Sequence, residues 1–363
     1  MKKEIDKILL ITARADYGGG PRHVDVLVEN IEKNVYIACP KDKPYFQKWK
    51  GANNVSDICA LPHRKFTPAA FYKLLKFCKR NKVTIIHSHG KGAGIYSRLL
   101  KLFLPSLKVI HTYHGVPSGD FNNFKSSFSN AVEKCLVPLT TKFINVSYSE
   151  QNECYRKGIL PRNKSSVIYN GIRSLKKHYK SINPIHVNEK FVVTSISRFD
   201  YQKNMAQSLS IAEQLKGYSK IVFLWIGDGN DRLFLESEAK KKGLHNIIFT
   251  GFRTDIDYLL TQTNLCLSTS RWEGLPIALI EATSLGIPIV ASDVVGNNEV
   301  VENGENGYLF PQEDIDAACN SILKLYNDKE LYKKMSSAAL NRYLAYFTSE
   351  KMIKSLENIY NNI

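Results

Sequence analysis

The chain has 363 residues, of which 44% are hydrophobic and 23% are charged. This composition is ordinary for a soluble globular protein with room for about two domains, and it excludes a disordered chain and a collagen-like fibre. The charge balance is unusual, because 50 Lys and Arg oppose 34 Asp and Glu for a formal net charge of +16. Such an excess indicates an anionic partner, which could be nucleic acid, an acidic membrane or a phosphorylated substrate.

The positive charge is confined to the first half of the chain. Residues 1–172 carry 28 Lys and Arg against 12 Asp and Glu, a balance of +16, whereas residues 173–363 carry 22 of each. Between Ile58 and Gly119 there are 11 basic residues and no acidic one. This distribution favours a basic surface on the N-terminal part of the protein.

Two basic amphipathic helices are predicted within the acid-free stretch, over Pro68–Arg80 and Ala93–Leu104. The second has Arg98 and Lys101 beside its apolar residues. Such helices could dock on anionic lipid headgroups, or they could pack on a core and leave a solvated face. The missing acidic residues favour the first interpretation.

The sequence contains no run of 18 apolar residues, so it predicts no membrane-spanning helix. Its first apolar run, Ile8–Ile11, is too short for a signal peptide and is predicted to be a buried strand. The seven cysteines are scattered and form no Cys-x-x-Cys pair, which is not the spacing of a metal site or a disulfide framework. We therefore expect a cytoplasmic protein with reduced thiols.

Short apolar runs alternate with helical patterns along the whole chain. The strands predicted in the first half are Lys7–Thr12, Val35–Cys39, Val83–His87, Val109–Tyr113, Phe143–Ser147 and Ser166–Tyr169. Those predicted in the second half are Phe191–Ser197, Ile221–Ile226, Ile247–Thr250, Leu265–Ser268, Pro288–Ser292 and Gly307–Phe310. Near-continuous apolar strands separated by helices are typical of parallel sheets that are covered on both faces.

The two sets of strands predict two doubly wound α/β domains. A polar segment from Arg173 to Lys180, followed by Ile182-Asn183-Pro184, places the boundary near residues 173–190. The segment Leu331–Ile363 is predicted to be helical throughout. Ligands of doubly wound folds bind beyond the carboxyl ends of the strands, so the chemistry is expected in the loops that follow them.

The loop after the first strand contains Gly18, Gly19 and Gly20, and a helix is predicted over Val24–Ile31. A glycine turn at a helix N-terminus lets backbone N–H groups approach an anion. Three glycines can equally form a tight turn. The pattern fits neither the Gly-x-Gly-x-x-Gly fingerprint nor a P-loop.

Two strands of the first half end in histidines, at His87-Ser88-His89 and at His111-Thr112-Tyr113-His114. His114 precedes a glycine at a strand end, where it could hydrogen-bond a substrate hydroxyl or assist proton transfer. His89 is the weaker candidate of the two. The alternative for both is a structural histidine.

Arg198 and Lys203 share the loop after the first strand of the second half. They could clamp a diphosphate, with the guanidinium fork of arginine and the point charge of lysine. The alternative is a solvated loop. The position of this loop in the predicted fold favours the functional interpretation.

The most informative segment runs from Arg271 to Ala282 and contains Glu273 and Glu281 with seven residues between them. Glu273 lies in a Gly/Pro loop, and Pro276 is predicted to start a helix. The backbone N–H groups of Gly274–Ile277 would then form an anion site. Glu281 lies among apolar residues, where a buried carboxylate needs a partner; sugar hydroxyls are suited to that role.

The segment Glu273-x7-Glu281 resembles the group 1 (family 4) retaining glycosyltransferases. The resemblance covers nearly the whole chain and is most specific from about residue 190 to residue 311. The further matches are Gly286-Ile287-Pro288, Gly296-Asn297-Asn298-Glu299, Gly18-Gly19-Gly20 with His23, Asn170-Gly171-Ile172, Ser197-Arg198 with Lys203, Gly227-Asp228-Gly229 and Gly251-Phe252.

The resemblance implies the GT-B fold, with two Rossmann-like doubly wound domains that face each other across a cleft. The expected bounds are 1–172 for an acceptor-binding domain, 190–345 for a nucleotide-sugar-binding domain, and 346–363 for a C-terminal helix that packs back on the first domain. One departure from many relatives is the loop Asp293–Asn298, which is less rich in glycine and proline. It concerns the sugar-ring contacts rather than the fold.

The resemblance also assigns roles to residues. Glu281 would hold the ribose hydroxyls of the donor, and Glu273 would contact the transferred sugar. Arg198 and Lys203 would stabilise the departing diphosphate, and His114 would approach the sugar from the first domain. The expected catalytic residues are thus His114, Glu273, Arg198 and Lys203. The expected donor-binding residues are Gly18, Gly19, Gly20, Arg198, Lys203, Phe252, Glu273, Gly274, Leu275, Pro276, Ile277 and Glu281.

The resemblance thereby predicts a hexosyltransferase that works with retention and without a metal or other cofactor. Its substrates would be a nucleotide-diphosphate sugar, which we expect to be a UDP-sugar, and a saccharide acceptor linked to a lipid. Such an enzyme would act in the synthesis of bacterial surface polysaccharide, such as capsule or lipopolysaccharide. The basic first domain would hold it on the anionic inner face of the plasma membrane.

Two alternatives remain at this point. A nucleotide-sugar epimerase can have the same two-domain fold and needs no second substrate. A basic nucleic-acid-binding protein would also explain the net charge, but the sequence contains no recognised nucleic-acid module, so we expect no nucleic-acid partner. The sequence indicates no oligomeric state.

Overall fold

The computed structural model of the chain describes residues 7–116, 124–175, 181 and 183–363, with backbone only for 124–126. The chain divides into two α/β units: residues 1–171 with 349–363, and residues 172–348. Most of the predicted polar linker, residues 176–180 and 182, lies outside the described residues.

The first unit is built on a parallel sheet in which the seven described strands have the order β3-β2-β1-β4-β5-β6-β7. All five residues of the central strands β1 and β4 are buried, as expected for strands that are covered on both faces. The strands are β1 (Ile8–Thr12), β2 (Val35–Cys39), β3 (Val55–Ala60), β4 (Ile85–His89), β5 (Lys108–Thr112), β6 (Lys142–Asn145) and β7 (Ser165–Val167).

Helices connect these strands, and their ends follow local rules. The helix predicted over Pro68–Arg80 spans Pro68–Asn81, because Thr67 accepts a hydrogen bond from the backbone N–H of Ala70 and proline occupies the first turn. The helices are α1 (Gly19–Asn30), α2 (Tyr45–Lys50), α3 (Pro68–Asn81), α4 (Lys91–Phe103), α5 (Phe124–Leu136) and α6 (Tyr148–Arg156), with short 3₁₀ turns at Val137–Leu139 and Arg162–Lys164.

The second unit contains a parallel sheet of six strands in the order β10-β9-β8-β11-β12-β13. Its strands are β8 (Phe191–Ile196), β9 (Ile221–Ile226), β10 (Ile247–Gly251), β11 (Leu265–Ser268), β12 (Ile289–Ser292) and β13 (Gly307–Phe310). Its helices are α7 (Met205–Gln214), α8 (Arg232–Lys241), α9 (Ile256–Thr261), α10 (Ile277–Ser284), α11 (Asn297–Val300), α12 (Ile315–Asn327) and α13 (Lys329–Tyr346).

The sequence predicted that the segment Leu331–Ile363 is helical throughout, but the structure contains a break in it. Helix α13 ends at Tyr346, and α14 (Ser349–Asn362) begins after two residues that pair with the chain near Ile172. Phe347 is fully buried and accepts a hydrogen bond from the backbone N–H of Ile172. Helix α13 therefore belongs to the second unit, and that unit begins at residue 172 rather than at 190.

Helix α14 belongs to the first unit. The hydroxyl of Tyr360, on this helix, lies 2.6 Å from Nδ1 of His87 on β4. The backbone N–H of Gly171 lies 3.1 Å from the sulfur of Met352. The C-terminal residues thus complete the first Rossmann-like unit.

Strand β3 was not predicted. It lies at the edge of the first sheet, and only Cys59 of its six residues is buried. A half-exposed edge strand lacks the continuous apolar run that marks a central strand.

Arg98 was predicted to contribute to a basic surface, and this is wrong. The residue is fully buried on α4, where its two terminal nitrogens bond the Glu133 carboxylate at 2.7 and 3.2 Å. The Tyr113 hydroxyl donates to the same carboxylate at 3.2 Å. Arg98 is therefore part of an internal ion pair.

Among the described residues, no helix combines the length and the apolar character needed to cross a membrane.

Candidate active site

The second sheet reverses its strand order between β8 and β11, and the loops after these two strands lie side by side. The hydroxyl of Thr269 donates to the backbone carbonyls of Lys203 and Asn204, at 3.1 and 3.0 Å. The Gln202 side-chain amide donates to the carbonyl of Trp272 at 2.9 Å. These bonds tie residues 197–204 to residues 269–276 at the position where doubly wound sheets bind ligands.

Lys203 and Glu273 form an ion pair at this position. The ammonium lies 2.5 Å from Glu273 Oε1, and the Ser270 hydroxyl donates to the same oxygen at 2.7 Å. The side chains are only 19% and 8% exposed, respectively, so water screens this pair less than an exposed one. The sequence predicted both residues as functional, and the structure brings them together.

Arg198 lies on the same loop as Lys203 but has a different partner. Its guanidinium contacts Asp200 at 3.1 Å and lies 3.5 Å from the side-chain oxygen of Gln202, and its side chain is 40% exposed. Both cations proposed to bind a diphosphate thus have a carboxylate partner. The diphosphate clamp stays a prediction.

Helix α10 begins after Pro276, as predicted, and places Glu281 one turn from its start. Glu281 is half-buried rather than buried, because it shares the outward face of the helix with Ala278, while Ile280 and Ala282 face the core. Burial, with the Glu281 carboxylate nearby, raises the pKa of the Cys266 thiol to about 12. The carboxylate therefore lies near β11, and its role towards a ribose stays a prediction.

The loop after β12, where the sequence departs from many relatives, packs directly on Glu273. The backbone N–H of Glu273 donates to Val295 at 2.9 Å. Gly296 has a φ of +89°, and a Cβ there would lie 2.8 Å from Cβ of Glu273 and 2.7 Å from the Gly274 carbonyl oxygen. Only glycine allows this approach.

The remaining predicted donor residues of the second unit are placed differently. Leu275 is buried beside Glu273, and Ile277 is the first residue of α10. Phe252 follows the outermost strand β10, two strands away from β8, and is 44% exposed. Their contacts with the donor stay a prediction.

The first sheet has a corresponding reversal between β1 and β4, and four histidines gather there. His114 lies just beyond β5 with a left-handed φ of +61°. The ring centroids of His87 and His89 are 4.1 Å apart, and those of His23 and His114 are 4.5 Å apart. The four residues are His23 on α1, His87 and His89 on β4, and His114. His111 on β5 bonds Ser88 instead, on the opposite face of the sheet from His87 and His89.

Hydrogen bonds orient these rings. Nδ1 of His23 donates to the side-chain oxygen of Asn170 at 2.9 Å. Nδ1 of His89 lies 3.0 Å from Nε2 of His114. His87 has partners on both ring nitrogens, Tyr360 at 2.6 Å and the Thr112 hydroxyl at 2.8 Å.

Burial keeps the histidine cluster neutral. It lowers the pKa of His23 to about 4, and it holds the pKa values of His87, His89 and His114 well below the usual histidine range, as it does for His111 on the other face of the sheet. Burial is the largest cause in each case, and neighbouring rings or Arg98 add to it for all but His23. The cluster therefore presents lone pairs and N–H groups rather than positive charge at neutral pH.

Sequence reasoning named His89 and His114 as candidates and did not foresee that His23 and His87 lie against them. The sequence pattern connected His23 only with the three glycines before it. In the structure, Gly18 precedes α1, and Gly19 and Gly20 lie in its first turn. The contact of His23 with Asn170 spans 147 residues, a separation that no local pattern reveals. Ser270 was missed as well, although it stands three residues before Glu273.

Comparison with known proteins assigns a family to both units. The family model for glycosyl transferases group 1 matches residues 179–342, and that for glycosyltransferase family 4 matches residues 17–174. The crystal structure of Anabaena HepE in complex with UDP and glucose superposes with a TM-score of 0.86, covering 99% of this chain and all of that one at 19% identity.

Two curated relatives match this chain in sequence over most of their own length. One is the Escherichia coli UDP-Gal:alpha-D-GlcNAc-diphosphoundecaprenol alpha-1,3-galactosyltransferase, 30% identical over 358 residues, which are 92% of this chain and 90% of the relative. Another is the Bacillus anthracis N-acetyl-alpha-D-glucosaminyl L-malate synthase, 26% identical over 80% of this chain and 78% of the relative. The two Rossmann-like units and these matches together show that the chain is a glycosyltransferase of group 1, family 4, with the GT-B fold.

Proposed function

We propose that the protein transfers a sugar from a UDP-sugar to a saccharide carried on a lipid diphosphate, with retention at the anomeric carbon and without a metal. The observation that carries the proposal is the cluster of Lys203, Glu273 and Ser270 beside Arg198 at the reversal of the second sheet. A sugar nucleotide needs cations there, because its diphosphate gains charge as it leaves.

The proposed chemistry divides between bond breaking and bond forming. The bond from the anomeric carbon to the diphosphate breaks, and the electron pair stays on the phosphate oxygen. Lys203 and Arg198 stabilise that charge, and Glu273 with Ser270 holds Lys203 in place. The acceptor hydroxyl forms the new bond on the face that the diphosphate leaves, and its proton passes to the departing phosphate oxygen.

UDP is proposed as the nucleotide on the strength of two relatives. The name of the Escherichia coli relative specifies UDP-galactose, and HepE was crystallised with UDP and glucose. Glu281, half-buried one turn inside α10, is proposed to bind the ribose hydroxyls. GDP- and ADP-sugars are the competing donors that a screen has to include.

A lipid-linked acceptor is supported by the Escherichia coli relative, which acts on a diphosphoundecaprenol saccharide. The Bacillus anthracis relative is named a malate synthase, so a small soluble acceptor is the competing proposal. We place the lipid-linked reaction in bacterial surface polysaccharide synthesis, such as that of capsule or lipopolysaccharide, on the cytoplasmic face of the plasma membrane.

The surface of α3 and α4 supports docking on a membrane. Four large apolar side chains are exposed there: Phe66, Tyr72, Leu102 and Phe103. The ring centroid of Phe71 lies 6.0 Å from that of Phe66 and 5.5 Å from that of Phe103, so these three rings form one patch. The exposed lysines between residues 65 and 79 are Lys65, Lys73, Lys76 and Lys79. Apolar side chains among lysines suit an interface with anionic lipid.

A donor and acceptor screen with purified full-length protein tests the proposal. UDP-, GDP- and ADP-sugars are offered with and without a diphosphoprenyl-linked saccharide, and nucleotide release, product mass and the anomeric configuration by NMR are recorded. We expect acceptor-dependent UDP release, an α-linked product from an α-linked donor, and an undiminished rate in EDTA. Sugar interconversion without acceptor would instead show an epimerase, and an inverted product would contradict retention.

A further inference from the structure

We propose that the first unit carries a binding site for a divalent transition-metal ion of the zinc type, formed by His23, His89 and His114. One ring nitrogen of each residue lies within 4.8 Å of the corresponding atoms of the other two. The three rings come from three elements, helix α1, the end of strand β4 and the turn after β5. All three ligands belong to the first unit, whereas Lys203 and Glu273 belong to the second.

The spacing of the ring nitrogens is close to that of a tetrahedral site. Zinc–nitrogen bonds of about 2.0–2.1 Å place the nitrogens of two ligands about 3.3 Å apart. Nδ1 of His89 and Nε2 of His114 are already 3.0 Å apart. The widest pair has to approach by about 1.5 Å at most, which small rotations of histidine rings supply because their outer torsion is broad.

The orientation of His23 favours metal binding. An amide oxygen only accepts, so the bond to Asn170 places the proton of His23 on Nδ1 and leaves a lone pair on Nε2. A polar partner on the far nitrogen is the usual support of a metal-binding histidine. His23 is 3% exposed, and its Nε2 has no hydrogen-bond partner among the described residues.

His89 is buried as well, at 4% exposed. Its Nδ1 is the nitrogen that faces Nε2 of His114, so a metal ion would take this atom, and Nε2 of His89 would carry the proton. The buried atom that lacks a partner in the described part of the chain and that a metal ion would satisfy is therefore Nε2 of His23, and such an atom is costly to leave without a partner.

The ligand set decides the class of ion. Three imidazoles without a carboxylate suit Zn²⁺, Co²⁺, Ni²⁺ or Cu²⁺, whereas Mg²⁺ and Ca²⁺ prefer oxygen ligands. Three protein ligands leave a fourth position for water or another small ligand. Because His114 is also the predicted sugar contact, the bound ion would compete with sugar transfer; this consequence alone rests on the proposed function.

Direct metal titration tests the site without relying on activity. Full-length protein without a polyhistidine tag is treated with a chelator and titrated with Co²⁺, followed by visible absorption, and Zn²⁺ is then added in competition. We expect one equivalent to bind with the absorption band of a four-coordinate Co²⁺ site and to be displaced by Zn²⁺. Absence of saturable binding near one equivalent overturns the proposal.

Two variants and two controls locate the ion. His23→Gln removes one of the three ligands. Asn170→Ala removes only the hydrogen-bond partner of His23, and this loss is expected to weaken metal affinity about 10–100-fold. His63→Ala and His245→Ala, at exposed histidines, should bind as the wild type does. Affinity unchanged in both His23→Gln and Asn170→Ala contradicts the site.

Melting curves show whether each variant is folded. If neither variant is folded, crystals of the wild-type protein soaked in Zn²⁺ show whether the ion binds at the three histidines. An anomalous scattering peak at the three histidines supports the site. Peaks that occur only at other positions overturn it. In the transfer assay, one equivalent of Zn²⁺ should inhibit and EDTA should restore the rate. Zinc binding at the histidines in a protein that transfers no sugar would show that the proposed function failed while the metal site stands.

Discussion

The two units have the same strand order at the centre of their sheets but different chemistry where that order reverses. In the first unit the reversal between β1 and β4 gathers four neutral histidines. In the second, the reversal between β8 and β11 holds the ion pair of Lys203 and Glu273, with Arg198 beside it. Topology places the loops, and the residues in them decide what each loop can bind.

The two units also differ in where their positive charge lies. The excess of +16 belongs to the first half of the chain, yet the reversal of the first sheet contains neutral rings. Of the 11 basic residues between 58 and 119, eight are exposed, Lys91 and Lys101 are half-buried, and Arg98 is buried. The charge therefore lies on the outer surface of the first unit, whereas the second unit places two of its cations, Arg198 and Lys203, in the candidate site.

Replacing Lys203 should have the largest effect on catalysis. Lys203→Met removes a charge that stabilises the departing diphosphate, and loss of one such group costs about 10²–10³ in kcat. The measurement is steady-state UDP release with saturating donor. Lys216→Met, at an exposed lysine of the same unit, is the matched control. A Lys203→Met enzyme that keeps more than a tenth of the wild-type kcat would break the assignment.

Replacing Arg98 should destabilise the first unit without touching the second. Arg98→Met leaves Glu133 buried and unpaired, which costs about 3–5 kcal/mol in the free energy of unfolding. Arg80→Met breaks an exposed ion pair with Asp57 and should change stability by less than about 1 kcal/mol. Urea denaturation compares the two, and equal effects would contradict the burial of Arg98.

Neutralising lysines on α3 should weaken membrane binding. Lys73→Gln with Lys76→Gln removes two exposed charges, each worth about 1 kcal/mol at an anionic surface, so partition should fall by roughly 10–30-fold. Sedimentation with vesicles of mixed neutral and anionic lipid measures it. The matched pair Lys240→Gln with Lys241→Gln, exposed on α8 of the second unit, should bind as the wild type does. An equal loss in both pairs would refute a docking surface confined to the first unit.

Glu281→Ala should have the smallest of these effects. Loss of charge-assisted hydrogen bonds to the ribose is expected to weaken UDP affinity by about 10-fold. Isothermal titration with UDP measures this, and Glu305→Ala, at an exposed glutamate, serves as the control. Unchanged UDP affinity in Glu281→Ala would remove this residue from the donor site.

Much of the fold was predictable because its strands are buried on both faces. All twelve predicted strands are present, since runs such as Ile221–Ile226 carry no polar residue to confuse the pattern. Strand β3 escaped because it lies at an edge and is half-exposed. The break between α13 and α14 escaped because its cause, the pairing of Thr348 with Ile172, is distant in sequence.

The sequence named residues of the candidate site but not the partners that the structure gives them. Glu273, Lys203 and Arg198 were named from their loops, and the structure adds that Glu273 pairs with Lys203 across 70 residues. Arg98 was misplaced because a charged residue within an amphipathic pattern is taken as exposed unless its partner is known. Glu281 is half-buried because the outward face of α10 depends on packing that its apolar neighbours do not reveal.

The central claim is that the nucleotide binds at the reversal of the second sheet. Hydrogen exchange of the full-length protein with and without UDP, followed by mass spectrometry, tests it most directly. The strongest protection is expected in residues 197–204 and 269–284, where Lys203, Glu273 and Glu281 lie. Saturating UDP that leaves the exchange of both segments unchanged would contradict the account.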